Sequence, residues 1–237
     1  MHYKLAANIL LKTENAAKPE KQGSAYLKSI ISRLEPVSSS FDYGCGKLRY
    51  RDAILATTDT LALIDSEIQL SRTQLIRGKL TTIREVSRRT NRVSSYNTAE
   101  FGHLLTAFDR GFCINVLSVI PFLSARRRVL DLIRWRLRPS GTCLFAVQYR
   151  NSDFDRMRNM PNARPWLDGF LINSLRGYSF YGLISPERLA KAVKKAGFEI
   201  VDRRLNEGTV YLMARSPAKN KNMKSINIDE NKNFTFS

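Results

Sequence analysis

Phe41-Asp42-Tyr43-Gly44-Cys45-Gly46-Lys47 stands where a short apolar run gives way to a helical pattern, the place in an α/β chain where a strand turns into a helix. Glycines at 44 and 46 let the backbone turn sharply and leave room for a ligand against it. A turn of this kind is common, and it gains meaning from the next apolar run. About twenty residues on, Leu61-Ala62-Leu63-Ile64-Asp65 reads as a buried strand ending in an acid. A carboxylate there can accept both ribose hydroxyls of an adenosine-containing ligand. Pyrophosphate binding asks for a third glycine in GxGxxG, and Arg49 occupies that position, so a dinucleotide is disfavoured. The GxxxxGK[ST] pattern of a phosphate-cradling loop is missing as well.

Outward from this segment, apolar runs alternate with longer helical patterns, the signature of an α/β, three-layer, doubly wound and mostly parallel sheet. Seven strands are expected: 40–43, 60–65, 92–96, 108–114, 142–148, 199–205 and 209–214. The clearest helix is 124–137, with Val129, Leu130, Ile133 and Leu137 on one face and Arg127, Arg134 and Arg138 on another. Arg138-Pro139-Ser140-Gly141 is expected to stop it. A second starts at Ser185-Pro186-Glu187, with a capping serine and a first-turn proline, and ends at Gly197. One domain is expected over 23–215, preceded by a flexible or helical arm (1–22) and followed by a disordered basic tail (216–237).

With 39 Lys and Arg against 21 Asp and Glu, the chain carries a net charge of +18. Such a surplus attracts polyanions, which makes nucleic acid the first partner class to consider; a solvated basic surface is the alternative. Cys45, Cys113 and Cys143 are odd in number and widely spaced, so neither a disulfide framework nor a zinc site is suggested, and small buried fillers are the expectation. Two histidines are too few for a His-ligated metal. No apolar run is long enough to span a bilayer, and a soluble, cytoplasmic protein is expected.

Asp42-Tyr43-Gly44-Cys45-Gly46 resembles the first motif of class I S-adenosylmethionine (SAM)-dependent methyltransferases, and Asp65 their ribose-binding acid. Phe108 to Pro121 is similar to that family's fourth strand and the turn after it. Leu137-Arg138-Pro139-Ser140-Gly141 resembles its approach to strand five, and Pro186 to Glu199, with Ala196-Gly197-Phe198, its ending. The four matches come in the family's order over residues 25–215. Leu48 and Ser140 depart from it, standing where glycines are frequent.

The resemblance implies SAM as cofactor, with Asp42, Tyr43, Gly44, Cys45, Gly46, Asp65, Ser66, Tyr96 and Ile114 around it. Tyr96 covers the adenine in that reading and is a half-buried strand aromatic in the other. Asn115 and Ser118, just beyond the fourth strand, would act on the acceptor or else cap the turn. A 149–184 insertion carries Tyr149, Arg150, Trp166, Tyr178 and Tyr181, which would form the acceptor site if its aromatics and arginines clamp a base or an anion. The alternative is a hydrophobic lid with solvated arginines. The [DN]PP[YF] motif of adenine amino-methyltransferases is replaced by Ile114-Asn115-Val116-Leu117. A nucleic-acid acceptor is the first expectation, a small molecule the second, and a non-catalytic binding protein the third.

Overall fold

The computed structural model describes residues 2–5, 9–19, 22–150 and 152–218. In chain order the strands are β1 (His2–Lys4), β2 (Leu10–Lys12), β3 (Val37–Tyr43), β4 (Thr58–Asp65), β5 (Gln74–Ile76), β6 (Lys79–Thr81), β7 (Val93–Asn97), β8 (Phe108–Ile114), β9 (Leu137–Gln148), β10 (Ala163–Trp166), β11 (Gly169–Ser174), β12 (Gly177–Gly182), β13 (Glu199–Asn206) and β14 (Thr209–Arg215). The helices are α1 (Ala25–Ser32), α2 (Arg51–Leu55), α3 (Glu67–Ser71), α4 (Ile83–Arg88), α5 (Thr98–His103), α6 (Leu123–Arg136), α7 (Ser152–Arg158) and α8 (Pro186–Lys195).

Seven strands form the central sheet in the order β13-β14-β9-β8-β3-β4-β7. All neighbouring pairs are parallel except the two made by β14. Every expected strand is therefore present, and each lies in this sheet. The pleat explains why they read as unbroken apolar runs. In β4, Leu61 and Leu63 face one hydrophobic cluster while Ala62 and Ile64 face the other, so both sides of the strand are covered. Helices α6 and α8 supply one cluster with Val129, Ile133, Leu189 and Val193; α1, α2 and α4 supply the other with Leu27, Ile31, Ile54 and Ile83. Phe41 needs a missing side chain opposite it: a Cβ on Gly111 would lie 2.4 Å from its ring.

Local chemistry sets the helix ends. Ser24 and Ser185 accept the backbone N–H of Leu27 and Arg188, and α4 and α5 each start with a reciprocal capping box, Thr82 with Glu85 and Asn97 with Glu100. Among the described residues no helix is long and apolar enough to cross a membrane.

Three expectations are corrected. Arg138 to Gly141 is not a separate turn: β9 begins at Leu137, directly after α6, with a local kink at Ser140 (φ 63). The amino-terminal arm is neither a loose segment nor a leading helix where it is described. It forms β1, β2 and a 3-10 turn over Thr13–Ala16, because β2 pairs in parallel with β12 and thereby joins a five-stranded sheet, β1-β2-β12-β11-β10, with the insertion. The basic tail does not start at 216: Ser216 is fully buried, donates its N–H to the Gly141 carbonyl and accepts from the Ser140 N–H. Residues 219–237 lie outside the described ones.

Ser140 is exposed and holds the left-handed conformation that disfavours a Cβ by roughly 1–2 kcal/mol. Ser140→Gly is expected to raise unfolding stability by about 0.5–1 kcal/mol in urea titration.

Candidate functional site

From β3 the chain proceeds outward to β4 and β7, then returns to place β8 on the other side of β3. Open α/β sheets bind ligands at the carboxyl ends of strands beside such a reversal. A cleft of about 850 Å³, open to solvent, lies there.

The bend after β3 is fastened to the end of β4. Gly44 and Cys45 donate their N–H groups to the Ile64 carbonyl at 2.7 and 3.1 Å. Gly46 donates to Asp65 Oδ2 at 3.0 Å, and Ser66 to Asp65 Oδ1 at 2.8 Å. Buried Gln69 adds a bond from its side-chain amide to the Gly46 carbonyl. Gly44 (φ 77) cannot be replaced without cost, since a Cβ would meet Val116 Cγ2 at 2.3 Å. Leu48, at the frequent third-glycine position, keeps a glycine-like φ of 61 while its side chain is 1% exposed. Burying a leucine yields about 1.5–3 kcal/mol, enough to offset the backbone strain of roughly 1–2 kcal/mol.

Asp42, Tyr43, Gly44, Cys45, Gly46, Asp65, Ser66, Ile114 and Asn115 all line the cleft, as the sequence suggested. Asn115 takes φ 57, and its Oδ1 accepts the Gln148 N–H. The remaining expected residues line neither this cleft nor the space next to it. Ser118 is buried and donates to the Asn115 carbonyl, the turn-capping role. Tyr96 and Tyr149 pack against the larger core cluster, and Thr98 stands at the cleft wall where Tyr96 was expected. Arg150 is exposed, with its backbone N–H on the Gly208 carbonyl. Trp166 packs edge-on against Phe122 and Phe180, while Tyr178 and Tyr181 lie against the insertion's own apolar clusters. These aromatics thus pack against apolar neighbours and do not line the cleft.

Sequence reading missed Thr13, Glu14, Ala16 and Ala17, which roof the cleft, and Arg49, Tyr50 and Gln69 in its wall. The arm residues follow no recognisable pattern, because long-range contacts, the pairing of β2 with β12 among them, bring them there.

Three carboxylates line the cleft, with Lys47 and Arg49 beside them. Asp42 is 3% exposed, and burial, reinforced by Asp65 and opposed by Arg49, pushes its pKa up to about 7. Burial also raises Asp65, against the two backbone N–H groups that hold its charge. Glu14, 8% exposed, hydrogen-bonds His2 at 2.6 Å. All three cysteines are free and buried, which pushes their thiols upward and away from nucleophilic thiolates. Among the described residues no group of three or more His, Cys, Asp or Glu could hold a metal.

No protein-family model matches the chain. An uncharacterized protein of Escherichia coli (strain K12), YmfD, is 30% identical over 209 residues, spanning 88% of this chain and 93% of that one. The chain belongs to the YmfD family. Its fold recurs in solved structures. An O-methyltransferase family protein from Burkholderia thailandensis matches with a TM-score of 0.55 and 16% identity over 81% of this chain, which spans 56% of that protein. The Burkholderia thailandensis 1,6-didemethyltoxoflavin-N1-methyltransferase, with 1,6-didemethyltoxoflavin and S-adenosylhomocysteine bound, matches at 0.54 and 18% over 81% of this chain and 77% of that one. The [4+2]-cyclase SpnF matches at 0.54 and 16%, over 82% and 81%. This YmfD-family chain therefore has the class I, Rossmann-like methyltransferase fold.

The residues present suit SAM. Its sulfonium and ammonium are positive, and the cleft offers Asp42, Asp65 and Glu14; the glycine bend gives the backbone clearance a flat ligand needs.

An ammonium beside Asp42 favours its ionised form. S-adenosylhomocysteine affinity is expected to fall, by up to about tenfold per pH unit, as pH drops below about 7, and Asp42→Asn to flatten that dependence in calorimetry. For the free protein the sign is opposite: a raised carboxylate pKa favours the folded state at low pH, and that stability is lost as pH rises through about 7. Asp42→Asn should accordingly raise the melting temperature at alkaline pH.

Proposed function

We propose that this YmfD-family chain is a SAM-dependent methyltransferase whose acceptor is a small molecule. The observation that carries the reading is the glycine bend fastened to the end of β4, with the Asp65 carboxylate turned onto it, inside a cleft walled by three carboxylates. The fold alone would be weaker support, since a [4+2]-cyclase has it too.

When bound, SAM supplies an electrophilic methyl: the acceptor's lone pair forms the new bond to carbon, the carbon–sulfur bond breaks with its pair left on sulfur, and the acceptor's proton goes to solvent. The protein's share is positioning. Gly44 and Gly46 set the backbone path, Asp65 orients the ribose, and Asp42 orients the ammonium. Asn115, at the end of β8, is the described side chain best placed to orient an acceptor.

A small acceptor fits the chain's arginines better than nucleic acid does. Arg84 binds Glu67 and Glu100, Arg127 binds Asp131, Arg138 binds Asp109, and Arg92 and Arg136 are spent on backbone carbonyls. These five arginines are therefore engaged within the protein. The toxoflavin methyltransferase, which shares the fold, holds a small molecule.

Asp65→Ala is expected to weaken S-adenosylhomocysteine binding roughly 10- to 100-fold, the scale of one charged hydrogen-bonding group. Unchanged affinity in a folded variant would overturn the assignment. Methyl label from SAM is expected to enter a small-molecule extract; incorporation into RNA or DNA instead would refute the acceptor class.

A further inference from the structure

Next to the cleft, past Asn115, lies a second space of about 680 Å³. Arg49, Tyr50 and Asn115 line both, so the two are neighbours across a shared wall. Their chemistry differs sharply. The cleft holds three carboxylates together with Lys47 and Arg49; among the described residues lining the second space there is no carboxylate, and Arg49 is the cation. Its polar side chains are the guanidinium of Arg49, the amides of Gln22, Asn115 and Gln148, and the hydroxyls of Ser24, Tyr50, Thr209 and Tyr211.

These groups are already organised. Tyr50 Oη accepts the Ser24 N–H at 3.1 Å, Ser24 Oγ lies 3.5 Å from Tyr211 Oη, and Asn115 Oδ1 accepts the Gln148 N–H at 3.2 Å. Arg49 is half-buried, its guanidinium 5.6 Å from the Tyr50 ring centre, and among the described residues it makes no ion pair. Its charge is felt by Asp42 across the wall. A half-buried guanidinium among neutral donors favours an oxyanion, because a planar carboxylate or phosphate can take its N–H groups in pairs.

We propose that this second space is the acceptor site and that the acceptor is a small polar molecule carrying a carboxylate or phosphate, gripped by Arg49, with its reacting end toward the donor at the border that Asn115 shares between the two spaces. The proposal rests on the methyl-donor reading for its role, but the anion preference stands on the space's own lining. The charge division is what a transfer between unlike ligands requires: a donor with positive groups on the acidic side, an acceptor with a negative group on the basic side.

The test uses the full chain saturated with S-adenosylhomocysteine, and separately without it. Glycolate, benzoate, 4-hydroxybenzoate and glycerol 1-phosphate are titrated against their neutral counterparts, glycolamide, benzamide, 4-hydroxybenzamide and glycerol, with binding read by NMR. At least one anion is expected to bind about tenfold or more tightly than its counterpart, and Arg49→Gln to bring that ratio close to one, while Arg49→Lys keeps part of it. Anions that bind no better than neutral molecules throughout, or a preference that survives Arg49→Gln, would overturn the proposal. So would an Arg49→Gln variant that loses S-adenosylhomocysteine but keeps 5′-methylthioadenosine, for the guanidinium would then hold the donor's own carboxylate. Failure of the donor reading looks different: the wild type would not bind S-adenosylhomocysteine at all, while the anion preference persisted without it.

Discussion

Three consecutive backbone N–H groups, those of Gly44, Cys45 and Gly46, are donated to the end of β4, two to the Ile64 carbonyl and one to the Asp65 carboxylate. The rest of the site depends on this fastening. It holds the bend open in a conformation that glycine adopts freely, and it turns the Asp65 carboxylate onto the bend. Parallel pairing of β3 with β4 makes it available, since both strands then end at the same edge of the sheet. A bend tied only to its own strand would leave the acid and the turn free to separate.

A second constraint places the roof. Arg126, 6% exposed, donates to the Ile120 carbonyl and grips Asp168 with both guanidinium nitrogens, at 2.5 and 2.8 Å. Asp168 lies between β10 and β11, so one side chain of α6 joins the insertion to the turn after β8. Breaking a pair this buried typically costs about 3–5 kcal/mol, because a charge is left without a partner. The same small sheet carries the amino-terminal strands, which bring Glu14 and Ala17 over the glycine bend. The roof is thus a joint product of the chain's first residues and of an insertion well over a hundred residues later.

Net charge by itself does not name an acceptor, for a physical reason. The surplus of +18 is what remains of 39 cations after 21 acids are counted against them, and it does not say where on the molecule those cations lie. Guanidinium groups satisfy several acceptors at once, and here many do so internally, on Glu67, Asp109, Asp131, Asp168 and the carbonyls of Gly102 and Thr58. The guanidinium that matters for the second space belongs to Arg49, which stands out in no basic cluster.

What the sequence determined by itself was local or periodic. The unbroken apolar runs of β4 and β9, the cap at Ser185, and the spacing from Gly44 to Asp65 are written within a few tens of residues, so the seven-stranded sheet and the pair of aspartates in the cleft were legible. Tertiary structure alone decided which distant segments meet. The insertion's aromatics looked suited to stacking on a ligand, yet Trp166 and Phe180 found each other and Phe122, because apolar rings in a small sheet bury themselves first. The arm's place over the cleft comes from long-range contacts that neither segment's own pattern specifies: the parallel pairing of Leu11 with Tyr178, Asn15 on the Arg176 carbonyl and Arg72 on the Glu14 carbonyl.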